Sequence, residues 1–426
     1  MPRMVDAKTL KGWISDGREL AILDAREEGE FGRSHLFWAI PCPLSKMEMR
    51  VPVLLPRKGV RVVCTDGGTE GYAARLATYL EGVGCTDVHV LDGGAAGWKA
   101  AGYVLFSGVN VPSKAFGEWV EHHYHTPSVD PAELKAMMDG GEDMVILDSR
   151  PMDEYHRMSI PGGIDVPGGE LVYRVGDIVT KASTTIVVNC AGRTRSILGA
   201  ESLRSAGVPN KVVALRNGTM GWELAGYQCD RGKSASFVPG TPASAAEARA
   251  RAGQFAAQRG VKTCTRPQLD AMVADTSRTT YVLDVRDPAE FAAGHLHGSR
   301  SAPGGQLVQA TDRWVSVRNA RIVLLDGSSF GSRGTQDGVR ARMTGGWLRQ
   351  LGGWEVFVLE DEFTGHFEEG MANPPVPEAD AVTLPVITAP ELMADMGGVQ
   401  VVDLSRSLAF RDAHVPGAAW GIRPRL

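Results

Sequence analysis

The sequence predicts an α/β protein built from tandem units, each with a small, mainly parallel β-sheet flanked by helices. Three observations predict this class: apolar runs ending in Asp recur, a second apolar run follows each at a fixed distance, and helical patterns separate the runs. Such alternation is typical of βαβ units, because parallel strands need a long crossover connection. The recurring starts are AILDAR (21–26), VILDSR (145–150), YVLDVR (281–286) and VVDLSR (401–406).

The second apolar runs strengthen the repeat, because their spacing is constant. They end 42 residues after the first Asp in three units. The three pairs are Asp24 with Asp66, Asp148 with Cys190, and Asp284 with Asp326. In a parallel sheet of this kind the ligand site lies at the carboxyl ends of the strands. Cys190 is therefore predicted at a ligand-binding edge.

The repeats and the linkers between them divide the chain into four units. We predict repeat 1 at 1–108, repeat 2 at 125–235, repeat 3 at 258–372 and a partial repeat 4 at 384–426. The last two boundaries fall in Ser/Ala/Pro-rich and Pro-rich stretches, which are typical of linkers. Repeat 4 stops before its second apolar run, so we expect unpaired strand edges there. Such edges favour packing on a neighbour or a homo-oligomer.

Composition excludes several classes of function. A net charge of −5 over 426 residues gives no reason to expect nucleic acid as a partner. No apolar run approaches the ~18–20 residues that span a bilayer, and the N-terminal segment lacks the apolar core of a signal peptide. Six scattered cysteines without a CxxC pair favour a cytoplasmic protein with free thiols and no structural metal. We expect no cofactor.

Residues 186–196, IVVNCAGRTRS, carry the chemistry. An apolar run ends just before Cys190, which begins a short loop with two arginines, and a helical pattern begins near Ser196. Loop N–H groups, the helix N-terminus and the arginines all supply positive potential, which lowers the pKa of a thiol and suits a bound anion. The alternative is a buried structural cysteine. The sequence thus predicts an activated thiolate at Cys190.

With these motifs the chain resembles a tandem rhodanese, a family of sulfurtransferases. The resemblance rests on the D-x-R start, the turn after the acidic-aromatic pair, the cysteine loop and the closing pattern before Trp98 and Trp222. It implies a ping-pong reaction without a cofactor. The cysteine takes a sulfane sulfur from a donor such as thiosulfate, becomes a persulfide, and passes the sulfur to cyanide or a thiol.

The family pattern is broken in two of the complete repeats, because Asp66 and Asp326 replace the cysteine. A carboxylate forms no persulfide, so repeats 1 and 3 are predicted to be inactive and repeat 2 catalytic through Cys190. The resemblance assigns substrate binding to the loop and to one preceding arginine. These residues are Ala191, Gly192, Arg193, Thr194, Arg195, Ser196 and Arg150.

Several of these roles have structural alternatives. Arg193 is a candidate surface residue, and Arg150 a candidate partner of Glu154 in an ion pair. Ser196 suits a helix cap better than substrate contact, whereas Gly192 suits a tight loop with close backbone approach. The histidines in the segment 121–125 are interpreted as a solvated helical linker rather than a metal site.

Two other functions compete with sulfur transfer. A phosphatase or arsenate reductase on the same fold would use a C-x5-R loop, whereas Cys190 and Arg195 form the shorter C-x4-R. A non-catalytic sulfur carrier or partner-binding module is the remaining alternative, since two complete repeats lack the nucleophile. Two loop arginines favour a dianionic donor such as thiosulfate.

Overall fold

The structure, a computed structural model, describes residues 2–237, 240–327, 338–360, 367–371 and 383–425. Three parallel sheets dominate it, and each orders its five strands in the same way: first, fifth, fourth, second, third along the chain. Every strand pair within these three sets is parallel. The predicted α/β class with repeated, mainly parallel sheets is confirmed.

Repeat 1 forms its sheet from buried apolar strands covered by helices on both faces, as parallel strands require. Its second and fourth strands are buried at every position. The strands are β1 (Arg3–Val5), β2 (Leu20–Asp24), β3 (Ala39–Pro41), β4 (Arg61–Thr65) and β5 (Asp87–Leu91), and the helices are α1 (Ala7–Trp13), α2 (Glu28–Phe31), α3 (Met47–Leu54), α4 (Tyr72–Gly82) and α5 (Gly94–Ala100).

Repeat 2 follows a connecting helix, α6 (Val111–Tyr124), which includes most of the histidine-rich segment. Asp130 and Glu133 form a reciprocal capping box that starts the first helix of the repeat. The strands are β6 (Ser128–Val129), β7 (Met144–Asp148), β8 (Ile164–Asp165), β9 (Thr185–Asn189) and β10 (Val212–Leu215), and the helices are α7 (Pro131–Asp139), α8 (Met152–Arg157), α9 (Leu171–Ile178), α10 (Thr194–Ser205) and α11 (Gly218–Leu224).

Repeat 3 follows the long helix α12 (Pro242–Gln258) and contributes one strand, β15, that pairs antiparallel with β2 of repeat 1. A short strand from repeat 3 therefore extends the sheet of repeat 1 through backbone hydrogen bonds. The strands are β11 (Lys262–Cys264), β12 (Thr280–Asp284), β13 (His295–Leu296), β14 (Arg300–Ser301), β15 (Val317–Arg318), β16 (Arg321–Leu325), β17 (Glu355–Leu359) and β18 (Phe367–Glu368), and the helices are α13 (Arg266–Ala274), α14 (Pro288–Ala293), α15 (Gly304–Gln309) and α16 (Val339–Gly352).

Repeat 4 reproduces only the start of the pattern, and none of the residues 383–424 is buried. Thr388 and Glu391 form the same capping box as in repeat 2. Its contacts with repeat 1 include an ion pair between Arg423 and Glu48, with Nη1 and Oε2 2.7 Å apart. Its elements are α17 (Ala389–Ala394), β19 (Val402–Asp403), α18 (Ser407–Asp412) and β20 (Ala419–Trp420), with the two strands parallel.

Repeats 2 and 3 pack through a reciprocal contact between two similar segments, PGGELV (167–172) and PGGQLV (303–308). A Cβ atom on Gly169 would lie 3.2 Å from the amide nitrogen of Gly305, and a Cβ on Gly305 would lie 3.1 Å from that of Gly168. Side chains at these glycines would separate the backbones. This contact places the carboxyl-end loops of repeat 2 against repeat 3.

The described residues contain no helix with the length and apolar character needed to cross a membrane. They also contain no group of three or more His, Cys, Asp or Glu side chains arranged to hold a metal ion.

Candidate active site

Cys190 lies immediately after β9 and four residues before the start of α10, the strand–loop–helix order that the sequence predicts. The side chain is almost enclosed, with the residue 2% exposed. Its thiol donates to Ser196 Oγ over 3.6 Å, and that hydroxyl donates in turn to the Arg193 carbonyl at 2.8 Å. The Cys190 loop, residues 190–196, therefore holds the sulfur at the N-terminal end of α10.

Two carbonyls of the Cys190 loop are bound by the start of α11, whereas the N–H groups of residues 191–196 remain open in the part of the chain that the structure describes. Cys190 O accepts from Thr219 N at 2.9 Å and Ala191 O from Met220 N at 3.0 Å. Within the described structure, no backbone N–H of residues 191–196 donates to a protein acceptor. Amide groups left open around a helix N-terminus form an anion site. The loop is thus built to receive a negative group.

Gly218 makes this anchoring possible. It has a φ of +53°, in the left-handed region that favours glycine, and a Cβ there would lie 2.1 Å from Cys190 O. Gly192 is different, because no atom lies within 4 Å of where its Cβ would be and its φ is not positive. The tight turn and close backbone approach predicted for Gly192 are therefore found at Gly218 instead, a residue that the sequence pattern did not indicate.

In repeat 1 the residue in the cysteine position occupies the corresponding anion site itself. Asp66 Oδ1 accepts from Gly68 N at 2.8 Å, and Asp66 Oδ2 accepts from Ala73 N at 2.9 Å. Ala73 is the second residue of α4. The carboxylate therefore satisfies the loop and the first turn of the following helix.

In repeat 3 the corresponding Asp326 binds the same position of the following helix. Its Oδ2 accepts from Arg340 N at 2.8 Å, and its Oδ1 accepts from Arg340 Nε at 2.8 Å. Arg340 is the second residue of α16, as Arg195 is the second residue of α10. The equivalent N–H groups of Arg195 therefore correspond to donors that hold a carboxylate in repeat 3.

Arg195 is held by a bidentate ion pair with Glu154, with both Nη···Oε distances 2.7 Å. Its Nη1 also donates to Gln306 of repeat 3 at 3.3 Å. Burial lowers the pKa of Arg195, but the bonds to Glu154 and the nearby Cys190 outweigh it, so the net shift is upward. Burial raises the pKa of Glu154, and Arg195 lowers it to a net downward shift. Both groups stay ionised at neutral pH.

Arg193 occupies the N-cap position of α10 and pairs with two carboxylates of α6. Its Nε lies 2.6 Å from Glu118 Oε1, and Nη2 contacts Glu121, with the Arg193 side chain 37% exposed. These partners favour the surface alternative for Arg193. Sequence reasoning missed them because they lie outside the repeat pattern.

The helix-cap interpretation of Ser196 is wrong, because Arg193 takes the N-cap position and Ser196 lies in the first turn. Its hydroxyl donates to the Arg193 carbonyl instead of accepting from an amide. Thr194 begins α10, and a Cβ on Gly117 of α6 would lie 2.9 Å from its Cγ2. Ala191 remains a half-buried loop residue.

The structure places Arg150 in a structural ion pair, with Asp148 rather than Glu154 as its partner. Its Nε and Nη2 donate to Asp148 at 2.8 and 2.7 Å, and the residue is 2% exposed. The same pair recurs in the repeats that lack the cysteine, as Arg26 with Asp24 and Arg286 with Asp284. This recurrence favours a role in the fold.

The family model for the Rhodanese-like domain matches residues 6–101, 130–225 and 265–366. The chain is similar to the crystal structure of thiosulfate sulfurtransferase from Pseudomonas aeruginosa, with 44% identity and a TM-score of 0.90. That match covers 99% of this chain and 78% of the other.

Two curated relatives match smaller parts. An HTH-type transcriptional regulator of Mycobacterium tuberculosis is 28% identical over 227 residues, covering 51% of this chain and 88% of that protein. A probable 3-mercaptopyruvate sulfurtransferase of Pseudomonas aeruginosa is 34% identical over 100 residues, covering 23% of this chain and 34% of that protein.

Proposed function

The chain belongs to the rhodanese family and is a rhodanese-type sulfurtransferase, and from this premise we propose that Cys190 carries the transferred sulfur as a persulfide. The donor is a sulfane-sulfur anion such as thiosulfate. The acceptor is cyanide or a thiol. Repeat 2 performs the reaction, and repeats 1 and 3 do not.

The proposed reaction has two displacements at sulfur. The Cys190 thiolate attacks the sulfane sulfur of thiosulfate, so the Sγ–S bond forms while the S–S bond of thiosulfate breaks and sulfite leaves with the electron pair. Cyanide then attacks the outer sulfur of the persulfide. A C–S bond forms, the Sγ–S bond breaks, and thiocyanate leaves while Cys190 returns as the thiolate.

The observation that carries the proposal is the contrast at the cysteine position of the three repeats. In repeat 1 the Asp66 carboxylate accepts from backbone N–H groups of the loop and of the following helix, and in repeat 3 Asp326 accepts from a backbone N–H of the helix, whereas the N–H groups of residues 191–196 have no protein acceptor in the described structure. Hydrogen-bond donors that are already oriented stabilise a negative charge without having to reorganise. In repeat 2 they would hold the sulfonate oxygens of the donor and the negative persulfide.

Arg195 supports the same assignment, because its counterpart Arg340 uses both its backbone N–H and its Nε to hold a carboxylate. We assign Arg195 to the donor anion and Glu154 to the orientation of its guanidinium. Arg193 keeps its two carboxylate partners, so its charge contributes less to donor binding than the sequence suggested.

The test measures thiocyanate formed from thiosulfate and cyanide. Wild-type protein turns over, and Cys190→Ala reduces turnover at least about a thousandfold, because no other nucleophile replaces the thiolate. Cys229→Ala is the matched control, since Cys229 is a free, half-buried thiol in the same repeat. It retains wild-type turnover.

Mass spectrometry separates the alternatives. After incubation with thiosulfate, the Cys190 peptide gains one sulfur atom and loses it on addition of cyanide. A persulfide that forms but is never released to a small acceptor indicates the carrier or partner-binding function. Hydrolysis of a phosphate ester or reduction of arsenate dependent on Cys190, without sulfur loading, indicates the competing enzyme class and overturns the proposal.

A further inference from the structure

The contact between repeats 2 and 3 brings a side chain of the inactive repeat to the active one. Gln306 lies in α15, in the PGGQLV segment, and its Oε1 accepts from Arg195 Nη1 at 3.3 Å. The reciprocal contact joins Glu170, in the PGGELV segment, to Arg340 with 2.6 Å between Oε1 and Nη1. The two positions are equivalent, but one is neutral and the other is charged.

The difference changes the charge balance of the two arginines. Arg340 contacts three carboxylates, those of Glu170, Glu290 and Asp326, at 2.6 to 2.8 Å. Glu170 also pairs with Arg174 at 2.9 Å, so three carboxylates face two arginines and the positive charge is still outweighed, as expected where no external anion binds. Among the described residues, Arg195 has one carboxylate partner, Glu154, and the neutral amide of Gln306. An acidic residue at 306 would add a second negative charge where an anionic donor binds.

We propose that Gln306, supplied by inactive repeat 3, determines specificity for the charge of the sulfur donor. Its amide oxygen helps to orient Arg195, and its neutrality leaves the guanidinium charge available to a dianion. This inference rests on the proposed function, because the donor it concerns is the one that Cys190 attacks. Repeat 3 therefore contributes to the active site through a side chain, although it carries no nucleophile.

The experiment compares two donors of different charge at low ionic strength, where exposed charges are least screened. Thiosulfate is a dianion and benzenethiosulfonate is a monoanion. Gln306→Glu has nearly the same shape and raises KM about threefold for the monoanion and about tenfold for the dianion, since the repulsion scales with donor charge. The ratio of the two kcat/KM values, thiosulfate over benzenethiosulfonate, therefore falls about threefold.

Two further variants at the same position give the sign of the effect. Gln306→Lys adds positive charge, and its flexible chain reaches solvent from this half-buried site. It raises the ratio of kcat/KM values about threefold. Gln306→Met keeps the size and stays neutral, so the ratio remains within about 1.5-fold of wild type even where both rates fall. If one charged variant does not fold, the other still decides the direction.

Gln268→Glu is the matched charge control. Gln268 is in the same repeat, and its side chain accepts from Thr265 N in an exposed capping box where Glu serves equally well. It leaves the donor ratio unchanged. Equal ratios in wild type, Gln306→Glu and Gln306→Lys overturn the inference. A different result overturns the proposed function: either wild-type protein shows no turnover, or Cys190→Ala retains it.

Discussion

Replacing Arg195 by Lys tests whether the shape of the guanidinium, and not only its charge, supports sulfur transfer. Arg195 fits Glu154 through two parallel bonds of 2.7 Å and reaches Gln306 with a third. Lysine keeps the positive charge but presents a point charge without a planar fork. Its single nitrogen cannot reproduce the two parallel bonds to Glu154 together with a separate donor for the proposed anion. The substitution therefore isolates geometry from net charge.

The expected magnitude follows from the bonds that are lost. A hydrogen bond to a charged group contributes about 1.5–3 kcal/mol, and every 1.4 kcal/mol corresponds to a tenfold change in rate or affinity. Loss of one such bond to the donor in Arg195→Lys lowers kcat/KM for thiosulfate about 10- to 100-fold. The carboxylate of Glu154 keeps a cationic partner, so the fold is expected to remain intact.

The assay is initial-rate thiocyanate formation with thiosulfate varied, together with a thermal unfolding scan of each variant. Arg193→Lys is the control, because Arg193 belongs to the same loop but pairs with Glu118 and Glu121 at the surface. Its kcat/KM stays within about threefold of wild type, as expected for exposed pairs. Similar losses in the two variants, or an Arg195→Lys enzyme within threefold of wild type, refute the reasoning.

Three further predictions concern the loops and the fold. Asp66→Ala removes a helix cap and lowers stability by about 1–2 kcal/mol, whereas thiosulfate turnover stays within about threefold; a larger loss of turnover contradicts an inactive repeat 1. Asp165 is buried, and this burial, together with the smaller effect of the Asp148 charge, raises its pKa from 3.8 to about 7. The folded state therefore favours protonated Asp165, so the stability of the fold declines as pH rises from 4 to 7. Asp165→Asn removes that decline. Thermal unfolding of both proteins between pH 4 and 7 measures it, and parallel profiles of wild type and variant contradict the prediction. Gly218→Ala places a Cβ 2.1 Å from a loop carbonyl and is expected to abolish turnover or folding. Gly192→Ala is expected to unfold at the wild-type temperature, and equal behaviour of the two variants contradicts the roles given to these glycines.

The repeat architecture could be predicted from the sequence because the information is local. Apolar runs with fixed spacing specify strands, and the position of Cys190 directly after such a run specifies the carboxyl edge of a sheet. The capping boxes at Asp130 and Thr388 likewise lie within four consecutive residues. Each of these features depends on neighbours in the chain, so one sequence is enough to identify it.

The partners of the site arginines could not be predicted in the same way. Arg195 and Gln306 are 111 positions apart, and Arg193 meets Glu121 from 72 positions away. Such contacts depend on how the repeats pack. The similarity of PGGELV to PGGQLV was nevertheless visible, and it could have indicated a reciprocal contact between repeats 2 and 3. Glu154 was also visible, as the acidic residue that recurs in each complete repeat.

An aspartate in the cysteine position can stabilise the local fold. A turn that points several amides at one place is stabilised by a negative group there, and Asp66 supplies that group in repeat 1. Its carboxylate binds both the loop and the first turn of the following helix, whereas Asp326 in repeat 3 binds the first turn of its helix. Repeat 2 has a cysteine at this position, so under the proposed function the negative group is the thiolate, its persulfide or the donor itself. The proposal therefore makes stability of the loop and turnover at Cys190 depend on the same set of amides.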